Sequence, residues 1–312
     1  MPFFHKHLLG IQDLSEDDIL TILDTAESLV EVSTRDVKKV PVLRGKTIVN
    51  LFFEPSTRTR SSFELAAKRL SADIINFSKQ SSSVTKGESL RDTVENLEAM
   101  NIDALIIRHS AAGAPHYLST FCRSHIINAG DGAHEHPTQA LLDAFTIKQS
   151  KKGFKDLKIV IVGDILHSRV ARSNILCLNK LGAKVVLSGP PALVPPVFTK
   201  FGVEIDYDMD SAVGAADVIM MLRIQKERQQ SNGFPSIREY RTSYSLTEKR
   251  LKKAKRKAII MHPGPINKGV ELTSELASSG RSVILKQVEN GVAVRMAILY
   301  LLLGGKDRET TD

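Results

Sequence analysis

The feature that most constrains this chain is a repeating alternation of short, β-branched apolar runs with stretches of helical period. The runs Thr47 to Phe53, Asp73 to Phe77, Ala104 to Ile107 and Ile126 to Ala129 show no polar alternation, so each predicts a strand buried on both faces. Between them, Ser61 to Leu70 and Ser89 to Met100 carry apolar residues at helical spacing, as do Ile19, Ile22, Leu23, Ala26 and Leu29 after Ser15. A second series follows the polar segment Gln149 to Gly153, with strands expected at Lys158 to Val162, Lys184 to Leu187, Val203 to Tyr207, Val218 to Leu222 and Ala258 to Met261. It closes on an apolar helix from about Glu289 to Leu303. The expected fold is α/β, two doubly wound parallel-sheet domains covering 1–150 and 151–312, with a C-terminal helix (about 286–304) packing back on the first. Ligands of such sheets sit at strand carboxyl ends, so the active site is expected in the interdomain cleft.

Length and composition exclude several classes. With 312 residues, 42% hydrophobic and 25% charged, the chain has material for two cores and is not of disordered type. Its longest uncharged apolar run, Met296 to Leu303, is far short of the roughly 20 residues of a membrane span. The opening Met1-Pro2-Phe3-Phe4-His5-Lys6 lacks an apolar leader pattern, so a cytoplasmic location is expected. Cys122 and Cys177 stand in neither CxxC nor Cys/His spacing, which argues against a disulfide framework or a structural zinc. The net charge of +8 points to an anionic partner. Lys249 to Lys257 is the densest basic run and the best argument for nucleic acid. With no Trp and 5% aromatics, stacking platforms are poor, and the run reads as a solvated helix face.

Directly after the first expected strand comes Glu54-Pro55-Ser56-Thr57-Arg58-Thr59-Arg60-Ser61, opening a helix. Helix N-terminal amides, hydroxyls and guanidinium forks all suit a phosphate, although the P-loop signature is absent; the plainer alternative is a Ser/Thr cap with solvated arginines. Arg108 and His109 end the third strand, and Asp131-Gly132 with His134-Glu135-His136-Pro137-Thr138-Gln139 follows the fourth. His134 and His136 have ligand-like spacing, but no further carboxylate or cysteine spacing supports a metal, and none is expected. Ser78 to Glu88 is polar and rich in small residues, as an exposed loop would be. In the second half, Val162-Gly163-Asp164 to Ser173 occupies the place of a dinucleotide fingerprint without GxGxxG, which disfavours a nicotinamide cofactor. Arg223-Ile224-Gln225-Lys226-Glu227-Arg228 and His262-Pro263-Gly264-Pro265 end two further strands. Arginines at several strand ends, with a His and a Gln but no carboxylate pair or Ser-His-Asp order, suit binding two small anions and stabilising a charged transition state.

Ser56-Thr57-Arg58-Thr59-Arg60 and His136-Pro137-Thr138-Gln139 resemble the shared motifs of the aspartate/ornithine carbamoyltransferase family over nearly the whole chain. Arg223-x-Gln225-Lys226-Glu227-Arg228 and His262-Pro263-Gly264-Pro265 resemble its aspartate-using branch, since ornithine-using members carry a His-Cys-Leu-Pro run at the latter position. The resemblance implies carbamoyl transfer from carbamoyl phosphate to the α-amino group of L-aspartate, an early step of pyrimidine biosynthesis, without metal or organic cofactor. It implies that Ser56, Thr57, Arg58 and Thr59 hold the phosphate. Arg108, His136 and Thr59 would polarise the carbonyl, and Gln139 with the backbone around Pro263, Gly264 and Pro265 would take the carbamoyl amide. Arg169 would bind the α-carboxylate of aspartate, and Arg223 and Gln225 its β-carboxylate. Ser82 and Lys86 would act from the polar loop of a neighbouring subunit in a homotrimer, Lys86 in the aspartate site. The resemblance leaves open a larger assembly with a regulatory chain or another pyrimidine-pathway enzyme. A transferase for another amino acid, an inactive relative and a nucleic-acid binder using Lys249 to Lys257 are the competing readings.

Overall fold

The computed structural model describes residues 3–78, 88–224 and 236–304. The chain divides into two compact units, Met1–Phe145 with Glu289–Asp312, and Thr146–Val288. In the first, α1 (Glu16–Val30) precedes β1 (Thr47–Phe52), α2 (Thr57–Arg69), β2 (Asp73–Ser78), α3 (Leu90–Glu98), β3 (Ala104–His109), α4 (Ala114–Ser119), β4 (His125–Asp131) and α5 (Pro137–Lys151). The strands form one parallel sheet in the order β2-β1-β3-β4. Val49, Leu51, Leu105, Ile107 and Ile126 bury one sheet face against Val94 and Leu97 of α3 and Leu118 of α4. The N-terminal segment lies beside β4, with Leu8 N–H donating to Ile126 O at 2.9 Å and Asn128 N–H donating to Leu8 O at 2.9 Å.

The second unit contains β5 (Lys158–Val162), α6 (Arg169–Lys180), β6 (Lys184–Ser188), β7 (Glu204–Ile205), α7 (Met209–Ala212) and β8 (Val218–Met221). It continues through α8 (Ile237–Tyr244), α9 (Glu248–Leu251), β9 (Ile259–Met261) and α10 (Ser274–Ala277) to α11 (Ile284–Leu303). Its parallel sheet runs β7-β6-β5-β8-β9. Two helices pass from unit to unit along the chain: α5 begins in the first and ends in the second, and α11 does the reverse.

Three local expectations change. The strand expected at Val203 to Tyr207 shortens to the edge pair Glu204–Ile205, because after Asp206 the chain turns into α7 and the Tyr207 hydroxyl donates to Val194 O at 3.0 Å. The basic run is a helix only to Leu251, with Leu251 and Ala254 buried, and then a series of turns. Three of its cations pair with acids of the same unit: Arg250 and Lys253 approach Asp210 at 3.4 and 3.2 Å, and Lys255 Nζ meets Asp217 at 2.7 Å. Two carboxylates thus pair with three of the seven cations of the run. The closing helix starts at Ile284, a turn before the expected Glu289. Within it, a Cβ on Gly291 would come within 3.2 Å of the Leu142 side chain, so the glycine serves close approach of α11 to α5. No helix among the described residues is long and apolar enough to cross a membrane.

Candidate functional site

Both sheets reverse their order once, β1 and β3 flanking the reversal in the first and β5 and β8 in the second. Ligands of open α/β sheets bind in the crevice at the carboxyl ends of such strands. The sequence-predicted residues collect at these two places.

In the first unit, β1 runs through Phe53 and Glu54 into α2, which starts at Thr57, inside the segment expected to open a helix. Ser56 is the N-cap residue, with an extended backbone, yet it makes no side-chain cap hydrogen bond. The first turn holds no acidic residue but two arginines, Arg58 and Arg60, both exposed, while Thr59 is buried. A helix start has amide donors without intrahelical partners and a positive dipole end. Here neither Ser56 nor an acid uses them, against the reading of Ser56 as a simple cap. On the adjoining strand, Arg108 sits opposite Phe52 in the β1–β3 register. Its Nη1 donates to Ala129 O at 3.2 Å and its Nε lies 3.4 Å from Glu54 Oε2, so the guanidinium is held in place from both sides. His109 is turned to a local task, its Nδ1 accepting the Ala111 N–H at 2.9 Å.

β4 delivers the third part. Gly130 and Gly132 take positive φ values of 115° and 46°, and a Cβ on Gly132 would lie 2.8 Å from the Ala112 backbone nitrogen, so the turn requires glycine there. Between them Asp131 is fully buried and organises the loop. Its Oδ1 accepts from Asn128 Nδ2 at 2.9 Å and Glu135 N–H at 3.1 Å; its Oδ2 accepts from Gly113 N–H at 2.7 Å and faces His134 Nδ1 at 3.0 Å. Burial alone would raise its pKa, but the His134, Asn128 and Gly113 hydrogen bonds outweigh burial and hold it below the usual carboxylate range. Glu135 is buried too and accepts the Ile11 N–H at 2.8 Å. This scaffold presents His136 and, from the first turn of α5, Gln139, both buried. The Gln139 carboxamide has its orientation set, because Nε2 donates to Asp143 Oδ1 at 3.0 Å and leaves the oxygen as the group's acceptor. Behind Asp143, the fully buried Arg295 donates to Gly291 O at 2.9 Å and lies 5.0 Å from the Phe63 ring centroid on α2. Burial lowers its pKa to about 10 against the pull of Asp143.

In the second unit, Gly163 leaves β5 at φ 134°, where a Cβ would come 3.0 Å from Leu222 O. Buried Asp164 accepts the His167 N–H at 3.2 Å and contacts its Nδ1 at 2.9 Å. Ser168 caps α6 by accepting the Ala171 N–H at 3.1 Å, and Arg169 follows as a buried first residue of the helix. After β8 come Leu222, Arg223 and Ile224; the Ile224 N–H donates to Glu271 Oε1 at 3.2 Å. Glu271 also accepts from Asn267 N–H at 2.9 Å and Asn267 Nδ2 at 2.8 Å, and burial raises its pKa in spite of these bonds. His262, after β9, donates its N–H to Gln287 Oε1 at 2.9 Å and accepts the Gly264 N–H on Nδ1 at 2.7 Å. Gly264 and Pro265 are joined by a cis peptide bond and leave their carbonyls as acceptors. Ser82, Lys86 and Gln225 lie outside the described residues.

The structure thus brings Ser56, Thr57, Arg58, Thr59, Arg108, His136 and Gln139 to neighbouring strand ends of one unit, and Arg169, Arg223, Gly264 and Pro265 to strand ends of the other. Sequence reasoning missed the buried supports, Asp131, Asp143, Glu271 and Gln287. Only Asp131 left a signal, its flanking glycines. It also missed that Asp131, His134 and His116 of α4 stand together, since local spacing says nothing about a partner from another element.

The family profile described as "Aspartate/ornithine carbamoyltransferase, carbamoyl-P binding domain" matches residues 6–149, and "Aspartate/ornithine carbamoyltransferase, Asp/Orn binding domain" matches residues 155–302. The chain is 59% identical over 309 residues to the aspartate carbamoyltransferase catalytic subunit of Syntrophotalea carbinolica, covering 99% of both. It is 60% identical to that of Syntrophus aciditrophicus, covering 97% of this chain and 99% of the relative. Among solved structures, the Trypanosoma cruzi aspartate transcarbamoylase in complex with carbamoyl aspartate and phosphate superposes with a TM-score of 0.86 at 31% identity, covering 95% of each chain. The Pyrococcus furiosus ornithine carbamoyltransferase superposes with a TM-score of 0.84, also at 31% identity, over 96% of this chain and 97% of that one. Two profiles that together span nearly the whole chain, and full-length relatives at this identity, place it in the aspartate/ornithine carbamoyltransferase family.

Proposed function

We propose that this chain is the catalytic chain of an aspartate carbamoyltransferase, moving the carbamoyl group from carbamoyl phosphate to the α-amino group of L-aspartate and releasing phosphate. The observation that carries the chemistry is the start of α2, an uncapped helix N-terminus with Arg58 in its first turn and Arg108 on the adjoining strand. The choice of amino acid follows the full-length relatives at 59–60% identity. It agrees with Arg223, a cation suited to the second carboxylate of aspartate and unsuited to the ammonium of ornithine.

In this reading the phosphate rests on the α2 amides, the Ser56, Thr57 and Thr59 hydroxyls and Arg58. Thr59, Arg108 and His136 donate to the carbamoyl oxygen. As the α-amino group attacks the carbonyl carbon, negative charge grows on that oxygen in the tetrahedral intermediate, and donors already in place stabilise it without reorganising. Collapse breaks the C–O bond and expels phosphate, which takes the proton that the attacking amine gives up and whose remaining charge the α2 start and Arg58 accept. Gln139 takes the carbamoyl NH2 through its oxygen, with Gly264 and Pro265 offering backbone carbonyls. Arg169 holds the α-carboxylate of aspartate, and Arg223 with Gln225 the β-carboxylate. Holding two anions in reacting register supplies much of the acceleration. Ser82 and Lys86 act from a neighbouring subunit in a cytoplasmic homotrimer.

The test is phosphate release from carbamoyl phosphate with aspartate and ornithine offered separately and the product identified by mass. Carbamoyl aspartate alone supports the reading; carbamoyl ornithine overturns the specificity, and no product with either overturns the activity. Mixing inactive Lys86→Ala and Arg58→Ala chains should restore activity through hybrid sites, and no rescue after verified subunit exchange would refute the shared site.

A further inference from the structure

We propose that His116, Asp131 and His134 form a binding site for one divalent transition-metal ion of the zinc class, apart from the groups assigned to carbamoyl transfer. One ring nitrogen from each histidine and one Asp131 oxygen all lie within 4.8 Å of one another. Zinc takes imidazole nitrogen at about 2.0–2.1 Å and carboxylate oxygen at about 2.0–2.2 Å, so small side-chain rotations close this triangle around an ion. Two imidazoles and a carboxylate, with water completing a tetrahedron, suit zinc, cobalt or nickel better than magnesium or calcium, which prefer oxygen shells.

The surroundings are those of a supported ligand set. Asp131 is fully buried, and Asn128 and the Glu135 N–H fix its Oδ1, the kind of outer hydrogen bonding that orients a metal-binding carboxylate. Its Oδ2 already faces His134 Nδ1 at 3.0 Å. The His116 and His134 rings stand edge to face, with centroids 5.6 Å apart at 67°. His116 Nδ1 is buried and has no hydrogen-bond partner among the described residues. A buried ring nitrogen left so is costly, and coordination would give it the partner that the fold does not. The His134 side chain is 38% exposed, so the ion has a route from solvent. Asp131 and His134 come from the end of β4 and its loop and His116 from α4, so a bound ion would fasten α4 to the loop that carries His136.

The test uses the full chain stripped with a chelator, titrated with Zn2+ against a chromogenic chelator and with Co2+ by visible absorption. One equivalent per chain is expected, with a tetrahedral cobalt spectrum. His116→Ala and His134→Ala should each weaken zinc at least tenfold. His5→Ala, which removes the imidazole of another His–Asp pair (3.0 Å to Asp18), should leave it unchanged. Circular dichroism checks each fold, and His116→Gln replaces any variant that unfolds. No zinc retained, or equal affinity in the wild type and the His116 and His134 variants, overturns the site and leaves the His134–Asp131 contact as a loop lock only. Neither readout depends on carbamoyl transfer.

Discussion

The starts of α2 and α6 hold equivalent places in their sheets, each following a buried strand where strand order reverses. At α6 the helix closes itself: Ser168 accepts the Ala171 N–H, and Asp164 fastens the turn ahead of it through His167. The α2 start has the same kind of residue at its cap but no side-chain cap bond. Elsewhere, α1, α3 and α8 are shut by reciprocal boxes, Ser15 with Asp18, Ser89 with Asp92 and Ser236 with Glu239. A satisfied cap contributes about 1 kcal/mol to its helix. The chain forgoes that contribution at α2, where the proposed phosphate site lies and where an acid would compete with the ligand. The open start of α2 leaves its amides to a ligand, whereas at the closed start of α6 only the Arg169 side chain is left for one.

The contrast breaks most decisively at Arg58. Arg58→Ala should lower kcat/KM by about 10²–10³-fold and weaken carbamoyl phosphate, as loss of a transition-state donor does. Arg223→Ala should act on the other substrate, raising KM for aspartate roughly 10–100-fold, the range for a hydrogen bond to a charged group, with carbamoyl phosphate binding kept. If both variants lost affinity for one substrate only, the division of labour would fail. A smaller effect separates the two serines. Ser168→Ala should lose about 1 kcal/mol in denaturant unfolding, whereas Ser56→Ala should stay within about 0.5 kcal/mol while weakening carbamoyl phosphate. Equal stability losses would mean that Ser56 is a cap after all.

The smallest effect is in acid. Hydrogen bonds from Ser89 hold Asp92 below the usual carboxylate range, and those from Ser236 do the same for Glu239. A carboxylate with a depressed folded pKa stabilises above its unfolded value, and that stabilisation is lost as pH falls through the folded one. The α3 and α8 starts should therefore loosen only below about pH 4, seen by NMR as low-titrating carboxyl carbons together with faster amide exchange. The α2 start has no acid in its first turn and should show no such step.

Much of this was legible in the sequence for a plain reason. A strand buried on both faces is written as an unbroken apolar run, and Lys158–Val162 and Thr47–Phe52 stand nearly where that pattern places them. Strand-end arginines were legible because charge directly after such a run has few structural uses. The edge strand β7 was not, since two residues of pairing leave almost no pattern. Nor was the pairing within the basic run, because Asp210 and Asp217, which meet Arg250, Lys253 and Lys255, lie far away in sequence. The place of Gln139 at the start of a helix after the fourth strand could be read, but its supports, Asp143 and Arg295, could not, because a buried charge looks like an exposed one until its neighbours are known.

The last twenty described residues have a consequence in time. The first unit is not finished when its own strands have been made: Arg295, beside Phe63 and within the field of Asp143, arrives on α11 only after the whole second unit. At roughly 5–20 residues per second of synthesis, the first unit waits on the order of ten seconds with the face that receives α11 uncovered. A fragment ending near residue 150 would stay in that waiting state, so this chain is a poor candidate for being cut into separately expressed halves, and its nascent form is where a chaperone has most to cover.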